Sequence, residues 1–438
     1  MTDSSDFVSW FRSAAPYIRS FSGKTFVIAF DGEIIEEGNF IDLTHDINLL
    51  VSVGVKVVLI HGSRPQIERA IKEKKIEPIV TKEHVRITDQ ATLNCVKETN
   101  GRLRVEIEAL MSMGLPNTPL AGSPIRITSG NFVIARPKGV VDGIDMLYSG
   151  DVRQVRADAI GRRLSDGELV LISPMGYSPT GETFNLQHQD VAAKVATSLN
   201  ADKLIFLTKQ TGLMNEEGEL LKEIVTSEVK KLALNKKSMS FEEYRLKQSI
   251  IEASENGVDR IHVINRELDG GILLELFTHE GIGTMISRDP LENLREANDE
   301  DIGGILTLIE PLEKDGLLVR RTRELLENEI HKFVIVEHDR LIVGCAALNT
   351  FPEDGTGEIA CLAVHSQFQN AGVGEQLLKS IEAKSRTQKL TNLFVLTTAT
   401  SHWFLQNGFE KGSLDSLPKR KAKLYNHNRK SNIFTKRL

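Results

Sequence analysis

The chain has 438 residues, of which 40% are hydrophobic and 26% are charged, and its formal net charge is −6. This composition is ordinary for a globular protein of two or three domains, and the negative charge argues against a general nucleic-acid binder. The three isolated cysteines offer neither a disulfide framework nor the spacing of a metal site. The acidic N-terminus does not look like a signal peptide, and no apolar run reaches the roughly 20 residues of a membrane helix. We therefore expect a cytoplasmic protein without a metal and without membrane or nucleic-acid partners.

Residues 1–21 are predicted to form an amphipathic helix. Apolar side chains recur at helical spacing from Phe7 to Ile18, and Pro16 is expected to interrupt the helix near its end. Two large aromatic residues, Trp10 and Phe11, accompany this pattern. The helix would pack on its own domain or act as an oligomerisation and effector arm, and both interpretations stay open.

Residues 22–286 alternate between apolar strands and helices. This alternation predicts an α/β unit with a parallel sheet that is covered on both faces. The predicted strands are 25–30, 55–60, 130–135, 169–172, 204–208 and 260–265, and the clearest helices are 40–53, 189–199 and 241–256.

A second unit is predicted after a linker. The segment 287–296 is charged, contains Pro290 and has no core pattern, so we interpret it as the linker. Residues 297–438 then begin with a capped helix. The later elements are a helix at 323–330, strands at 332–337, 341–349, 357–364 and 393–397, and a short helix at 401–408.

The third of these strands leads into a glycine-bearing turn, Gln369–Gly374, that is followed at once by a helix. Small residues let backbone N–H groups approach an anion, and the positive end of the helix dipole faces it. The order of elements therefore predicts a phosphate site. Taken alone, the pattern is weak, because glycine-rich turns before helices are common.

The second unit resembles the GNAT acyl-CoA acyltransferases over about residues 293–438. The resemblance rests on Gln369, Gly372 and Gly374 after one strand and on Phe404–Phe409 after the next. It implies an α+β fold in which the glycine turn holds the pyrophosphate of acetyl-CoA and the preceding strand lends its edge to the pantetheine. A backbone N–H at a bulge near Cys361 or Leu362 would stabilise the oxyanion. The implied cofactor contacts are Cys361, Leu362, Val364, Gln369, Asn370, Ala371, Gly372, Val373, Gly374, Phe404 and Asn407.

The same resemblance suggests which residues catalyse acyl transfer. Glu358 heads the strand and is our candidate for the general base, directly or through a water molecule. The alternative is a solvated carboxylate at a strand end. Thr397, or its neighbour Thr398, would position or supply the proton for the thiolate leaving group. We interpret Cys361 as a small residue lining the site and not as a nucleophile, because no histidine partner is evident nearby and His365 is interpreted as a turn residue.

The first unit resembles the amino-acid kinase family over about residues 20–286 and is expected to form its αβα sandwich. The resemblance rests on Arg86 and on the segments 61–66, 129–132, 172–176, 181–185 and 206–212. It fails where ATP would bind. Positions that carry a lysine, bare glycines and two aspartates in the kinases are occupied here by Ala29, Asp31, Ser63, Arg64, Gln189 and Lys209. We therefore expect a catalytically inactive domain.

One segment of the first unit, Gly271–Met285, is similar to the L-arginine site of arginine-sensitive members of the kinase family. This similarity implies an effector site made of Tyr17, Glu275, Gly281 and Gly283, with the carboxylate facing a guanidinium. The alternative for Glu275 is a charge on a helix face.

The combination of both domains resembles the N-acetylglutamate synthase family. This resemblance implies transfer of the acetyl group from acetyl-CoA to L-glutamate, which is the first step of L-arginine biosynthesis. It also implies feedback inhibition by L-arginine through movement of the domains relative to each other. The implied assembly is a homo-oligomer, namely a hexamer. The basic C-terminal region would bind the substrate carboxylates through Lys421, Arg429 and Ser431, together with Arg321 or its neighbour Arg320. It could instead be a solvated tail or contact CoA phosphates. Two other functions stay open: a GNAT enzyme that acetylates another amine with a sensor domain attached, and a bifunctional acetylglutamate kinase and synthase.

Overall fold

A computed structural model divides the chain into two units, residues 1–289 and residues 290–438. It describes residues 4–81, 86–113, 125–234, 239–278, 281–290, 292–338, 341–369, 372–423, 425–426, 429 and 431–438. Across these ranges, no helix is both long enough and apolar enough to cross a membrane.

The first unit is built on an eight-stranded sheet with the strand order β12-β14-β13-β11-β1-β2-β8-β3. Neighbouring strands are parallel except for β13 and β14, which are antiparallel. The first unit also contains a separate four-stranded sheet with the order β10-β9-β4-β7 and the two-stranded hairpin β5-β6. The strands are β1 Thr25–Phe30, β2 Lys56–His61, β3 Ile127–Ser129, β4 Val133–Pro137, β5 Val140–Val141, β6 Ile144–Asp145, β7 Gly150–Val155, β8 Leu169–Ile172, β9 Met175–Tyr177, β10 Thr183–Asn185, β11 Lys203–Thr208, β12 Glu223–Val225, β13 Arg260–Asn265 and β14 Thr284–Ser287.

Helices cover both faces of the large sheet, because its strands are apolar on both sides. Along β1, Val27 and Ala29 pack into one core cluster while Phe26, Ile28 and Phe30 pack into the other. This arrangement is the three-layered αβα sandwich that the sequence predicts. The helices are α1 Ser4–Phe21, α2 Glu33–Glu36, α3 Phe40–Ser52, α4 Arg64–Glu73, α5 Gln90–Met111, α6 Ala157–Ser165, α7 His188–Ser198, α8 Thr226–Leu234, α9 Phe241–Glu255 and α10 Gly271–Phe277.

The N-terminal helix α1 is continuous through Pro16, so the predicted interruption is wrong. The helix is fixed at its C-terminal half, where Ala14 is 1% exposed and the ring of Phe21 lies 5.4 Å from that of Phe277. Trp10 and Phe11, by contrast, are about half exposed. The helix therefore has a packed end and an aromatic end that faces solvent within this single chain.

The second unit has a seven-stranded sheet with the order β15-β16-β17-β18-β19-β21-β20. All neighbours are antiparallel except β18 and β19, which run parallel. Helices α11 and α12 cover one face of the sheet and α13 covers the other. The elements are β15 Glu292–Glu296, α11 Ile302–Lys314, α12 Arg323–Glu329, β16 Phe333–His338, β17 Leu341–Phe351, β18 Thr356–Val364, α13 Val373–Thr387, β19 Asn392–Thr397, α14 Ser401–Gln406, β20 Glu410–Lys411, α15 Lys419–Ala422 and β21 Asn432–Arg437.

Two predicted segments differ from the structure. Glu292–Glu296 lies within the expected linker 287–296, but it forms β15 at the edge of the second sheet, paired with β16. The predicted strand 130–135 is not part of the large sheet, because β3 ends at Ser129 and β4 pairs with β7 and β9 in the smaller sheet. Both segments are short strands, and local patterns do not reveal which strand each one pairs with.

Candidate active site

The central feature of the second unit is a gap between two parallel strands. Strands β18 and β19 pair only along Thr356–Ile359 and Asn392–Val395. Beyond these residues β18 stays paired with β17 and β19 stays paired with β21, so the two strands separate. The later residues of β18 therefore present an edge that no described strand covers, which suits an extended ligand that pairs with the backbone.

The expected bulge lies at this point of β18. Its residues on either side, Ala360 and Ala363, pair with Ala347 and Cys345, so two residues of β18 oppose the single residue Ala346 of β17. Cys361, the first of these two, has a φ of 51°, which is unusual for a residue with a side chain. Such a bulge redirects the backbone, and strained backbone is common at functional sites.

The glycine turn leads directly into α13, a helix of 15 residues. Gly372 is the residue before the helix, has a φ of +85° and has open space where a side chain would lie. At Gly374 a side chain would approach the ring of Trp403 to 3.1 Å. The indole N–H of Trp403 in turn donates to Glu375 at 3.0 Å, which holds the first helical turn. Gln369 is exposed beside the turn, whereas Asn370 and Ala371 lie outside the described residues.

Several predicted cofactor residues support this turn from the core. The side chains of Val373 and Phe404 are 0% and 2% exposed and pack in the cluster under α13, where Leu362 and Val364 join them. The side-chain amide of Asn407 donates to the carbonyl of Trp403 at 2.9 Å. The side chains of Val373 and Phe404 are thus part of the core beneath the turn.

The candidate base, Glu358, is buried and paired. It is 5% exposed, and the ammonium of Lys421 lies 2.6 Å from one of its carboxylate oxygens and 2.8 Å from the other. Asn349, directly opposite on β17, donates to it at 3.3 Å. Glu358 is therefore not a solvated carboxylate at a strand end, and two candidate site residues that are 63 positions apart form one ion pair.

A cavity of about 420 Å³ borders this ion pair. It is lined on its cationic side by Lys332, Lys384 and Arg420, and Glu358 and Lys421 form part of its wall. The volume is within the range of small-molecule sites. The cavity wall thus places the Glu358–Lys421 ion pair near three further cationic side chains.

Thr397 ends β19 where the two strands separate. Its hydroxyl oxygen accepts from the backbone N–H groups of Ala399 and Thr400 at 3.3 and 3.2 Å and lies 3.0 Å from the hydroxyl of Thr400. The hydroxyl is therefore fixed by its own turn. Its proton remains available to a group in the gap or to Thr400.

The other predicted basic residues meet at the loop after α11. The guanidinium of Arg429 donates to the carbonyls of Gly316 and Leu317, and its Nε is buried without a hydrogen bond. Arg321 donates to the carbonyl of Val319 at 3.2 Å and is close enough to Cys361 to lower the pKa of that thiol. These contacts place Arg321 close to Cys361, and they bring the guanidinium of Arg429 to the loop that contains Arg321.

Ser431 lies at the end of the basic stretch. Its backbone carbonyl accepts from the hydroxyl of Tyr425 at 2.7 Å, and its own side chain is half-buried. This contact joins residues on either side of Arg429, in the segment between α15 and β21.

In the first unit, the turns that hold phosphate in the kinases are filled by the chain's own side chains. Asp31 lies 3.3 Å from the guanidinium of Arg266 and 3.2 Å from the ring of His188. Arg266, whose side chain is 3% exposed, also pairs with Glu37 at 3.0 Å. The amide of Gln66 donates to the carbonyl of Gly32 at 2.6 Å. An internal network of charges thus occupies the position where a phosphate would need bare backbone.

Glu275, the predicted effector carboxylate, is buried and engaged. One oxygen accepts from the backbone N–H groups of Ile282 and Gly283 at 2.7 and 2.9 Å, and the other lies 2.7 Å from the ring of His262. Burial and the nearby Lys203 lower the pKa of His262 to about 4, so this ring is neutral at pH 7. Glu275 is therefore not a charge on an exposed helix face. It holds the loop that contains Gly281. Tyr17 on α1 packs against the core cluster that contains Ile272 and Leu276 of α10.

The sequence interpretation missed two contacts of the site. Asn349 contacts Glu358 because the two residues are directly opposite each other on β17 and β18. The alternation of side chains along the strands would have indicated this contact if the pairing register had been known. Trp403 packs against Gly374, and the only signal for this contact in the sequence was the position of Trp403 in the short helix after β19.

Among the residues that the structure describes, no group of three or more histidine, cysteine or acidic side chains could hold a metal ion.

Both domains match known protein families. Residues 24–265 match the amino acid kinase family, and residues 329–411 match the acetyltransferase (GNAT) domain. The class of protein is therefore an acetyltransferase with an amino-acid-kinase-like domain ahead of its GNAT domain.

Similar proteins cover the whole chain. An amino-acid acetyltransferase of Ralstonia nicotianae is 48% identical over 99% of this chain and 95% of its own, and one of Ectopseudomonas mendocina is 45% identical over 99% and 100%. The solved N-acetylglutamate synthase of Neisseria gonorrhoeae in complex with coenzyme A and L-arginine is 40% identical, covers 99% of both chains and has a TM-score of 0.89. A second structure of that synthase, with coenzyme A and N-acetyl-glutamate, is 42% identical over 99% of both chains with a TM-score of 0.62. The chain belongs to the amino-acid acetyltransferase family.

Proposed function

We propose that the protein transfers the acetyl group of acetyl-CoA to the α-amino group of L-glutamate and releases N-acetyl-L-glutamate and CoA. The observation that carries the proposal is the meeting of three features on β18: an uncovered strand edge, a bulge at Cys361 and the buried carboxylate of Glu358. The complexes of the Neisseria gonorrhoeae synthase with coenzyme A and with N-acetyl-glutamate support the same assignment.

The residues suggest how the reaction proceeds. The backbone of Gln369–Gly374 and the start of α13 bind the pyrophosphate, and the edge of β18 pairs with the pantetheine. Glu358 accepts a proton from the substrate ammonium, directly or through water from the adjoining cavity, so that the amine can attack the thioester. A backbone N–H at the bulge stabilises the oxyanion, and Thr397 assists protonation of the departing thiolate.

L-glutamate is the proposed acceptor because its two carboxylates need cations. Arg321 lies on the loop at 316–321, and Arg429 donates to carbonyls of the same loop. The carbonyl of Ser431 accepts from the hydroxyl of Tyr425, so this contact joins residues on either side of Arg429. Lys421 has a different immediate partner, because its ammonium is bound by Glu358. We assign Lys421 the positioning of the base and the two arginines the binding of the carboxylates.

The first unit is proposed to bind L-arginine and to inhibit the second. The proposed effector residues are Tyr17, Glu275, Gly281 and Gly283 around α1 and α10. The complex of the Neisseria gonorrhoeae synthase with L-arginine supports this assignment. Asp31 and Arg266 fill the kinase position with an internal ion pair, which is a reason to assign this unit regulation and not phosphoryl transfer. We further propose a homo-hexamer in which the exposed end of α1 takes part.

The test is release of free CoA from acetyl-CoA by the full chain over a panel of amino acids, with and without L-arginine. We expect turnover with L-glutamate, far less with L-aspartate, and none with L-lysine or with glutamate amide derivatives. Equal rates with lysine and glutamate would contradict the acceptor assignment. An unchanged rate at millimolar arginine would contradict the regulatory part, and light scattering on the same sample measures the number of subunits.

A further inference from the structure

Two of the three cysteines lie together inside the acyl-transfer unit. Cys345 on β17 and Cys361 at the bulge of β18 pack in the same cluster beneath α11 and α12. The thiol of Cys345 donates to the backbone carbonyl of Cys361, with 3.5 Å between the sulfur and the carbonyl oxygen. The third cysteine, Cys95, is buried in a separate cluster of the first unit.

The bulge creates this pair. In an unbroken ladder the residue opposite Ala346 would point to the face covered by α13, because side chains alternate along a strand and Ala346 packs in that cluster. The additional residue of β18 places Cys361 on the other face, beside Cys345. The residue with the unusual backbone is therefore also the one whose thiol meets a second thiol.

The two thiols have different environments. The neighbouring thiol of Cys345 lowers the pKa of Cys361, burial opposes that effect, and the guanidinium of Arg321 adds to the lowering. The neighbouring thiol of Cys361 and burial raise the pKa of Cys345. The thiolate is the reactive form of cysteine, so Cys361 is the side chain expected to react first, with a protonated neighbour in contact.

We propose that Cys361 and Cys345 form a reversible oxidation site within the acetyl-transfer centre. The Cys361 thiolate attacks one oxygen of hydrogen peroxide, the O–O bond breaks, and the hydroxide that leaves takes up a proton to give water and a sulfenic acid. The sulfur of Cys345 then attacks the sulfenic sulfur, the S–O bond breaks, and the Cys345 proton leaves with the hydroxide as a second water. Two thiols are oxidised to one disulfide by one peroxide, and a dithiol reductant restores both.

This oxidation would interrupt catalysis at the bulge. A disulfide needs a sulfur–sulfur bond of about 2 Å, so the two side chains must draw together and the backbone of Cys361 must follow. The inference rests here on the proposed function, which uses a backbone N–H of the bulge for the oxyanion. A ligand on the edge of β18 should hold the bulge in place and slow the oxidation.

The experiment treats the full chain with graded hydrogen peroxide and locates the product by peptide mass mapping before activity is measured. We expect a Cys345–Cys361 disulfide, the loss of two titratable thiols, a fall in acetyl transfer of about tenfold or more, and full recovery in dithiothreitol. Bound coenzyme A should slow formation of the disulfide. The variant Cys95→Ala is the matched control, since it also removes one buried thiol and should respond as the wild type does.

The variant Cys345→Ala separates this chemistry from general oxidative damage. Without its neighbour the sulfenic acid of Cys361 should proceed to the sulfinic acid, which dithiothreitol does not reverse. Two free thiols at these positions after peroxide treatment, or equal recovery of Cys345→Ala and the wild type, would overturn the proposal. Peptide mapping needs no turnover, so a disulfide that forms with no effect on acetyl transfer would contradict the role of the bulge in catalysis and not the oxidation itself.

Discussion

The chain contains two kinds of strand-to-helix turn at positions where its fold families bind phosphate, and they differ in what fills them. After β1, the turn at Asp31 and Gly32 is occupied by the chain's own charges and amides, with Arg266 and Gln66 as partners. After β18, Gly372 has a left-handed backbone and open space at the position of its missing side chain. The first turn also precedes a helix of only four residues, whereas the second precedes one of 15.

The difference shows that the order of strand, turn and helix does not by itself make an anion site. The helix dipole and free N–H groups favour an anion only if no fixed negative charge lies in the same place. In the first unit Asp31 is that charge, and the buried guanidinium of Arg266 neutralises it internally. Asp31 and Arg266 are thus paired with each other, and a nucleotide phosphate at this turn would meet the carboxylate of Asp31.

The largest expected effect on turnover comes from removing the carboxylate of Glu358 in the second unit. Glu358→Gln keeps the shape of the side chain and an acceptor for Lys421, but it removes the base, so kcat for acetyl transfer should fall by about 10²- to 10⁴-fold. Circular dichroism should show an unchanged fold. The matched control is Asp31→Asn in the filled turn, for which turnover should stay near that of the wild type. A similar fall in kcat in both variants would contradict the assignment of catalysis to the second unit alone.

Arg429→Ala is the next test, because it asks whether the second unit selects a dicarboxylate. Loss of charge-assisted hydrogen bonds worth about 1.5 to 3 kcal/mol should raise the KM for L-glutamate by about 10- to 100-fold. The KM for acetyl-CoA should change little. Arg437→Ala, an exposed arginine at the end of β21, is the control for general loss of positive charge. Steady-state kinetics with each substrate varied in turn decide the outcome, and an unchanged glutamate KM would contradict the assignment.

A smaller effect is expected at the open glycine turn. Gly372→Val places a β-branched side chain at a φ of +85° and into the space assigned to pyrophosphate, so the KM for acetyl-CoA should rise by about tenfold. Gly218→Val is the matched control, since Gly218 has a φ of +83° and equally open surroundings in the first unit. Both variants should lose similar thermal stability, and only Gly372→Val should change the KM. Equal KM values would argue that the turn does not bind the cofactor.

Local patterns were sufficient for the parts of the site that lie within one stretch of chain. The apolar strand β18, the glycine turn and α13 follow one another without interruption, and the departures at Ala29 and Asp31 are visible in the sequence itself. The bulge at Cys361 came from the resemblance to the acyltransferases and not from a local signal. The strand, the turn and the helix could be predicted because each is specified by residues that are neighbours in sequence.

The contacts that complete the site could not be predicted in the same way. The ion pair of Glu358 and Lys421 joins residues 63 positions apart, and both had been given separate roles. Strand β15 has polar side chains and one neighbouring strand at the sheet edge, so its composition resembled that of a linker. Pairing between distant segments depends on register and on the whole fold, which hydrophobic periodicity in a single sequence does not contain.

The smallest expected effect concerns stability and tests whether titration in the first unit is separate from catalysis. Asp46 on α3 is 5% exposed, and burial, with a contribution from Asp269, raises the pKa of its carboxyl to about 7. Between about pH 4 and pH 7 the unfolded chain releases this proton while the folded chain retains it, so the free energy of unfolding falls as the pH rises. Above pH 7 the cost is about 2 to 4 kcal/mol.

Asp46→Asn should remove this cost, because the amide stays neutral and can still accept from the backbone N–H of Ile272. We expect a higher melting temperature than that of the wild type at pH 8, a difference that shrinks towards pH 4, and an unchanged kcat. Asp166→Asn, an exposed carboxylate after α6, serves as the control and should show neither effect. If the melting temperatures of Asp46→Asn and the wild type coincide at pH 8, the pKa of Asp46 is not raised in the folded chain. A changed kcat would instead show that the first unit's buried charge reaches the chemistry of the second.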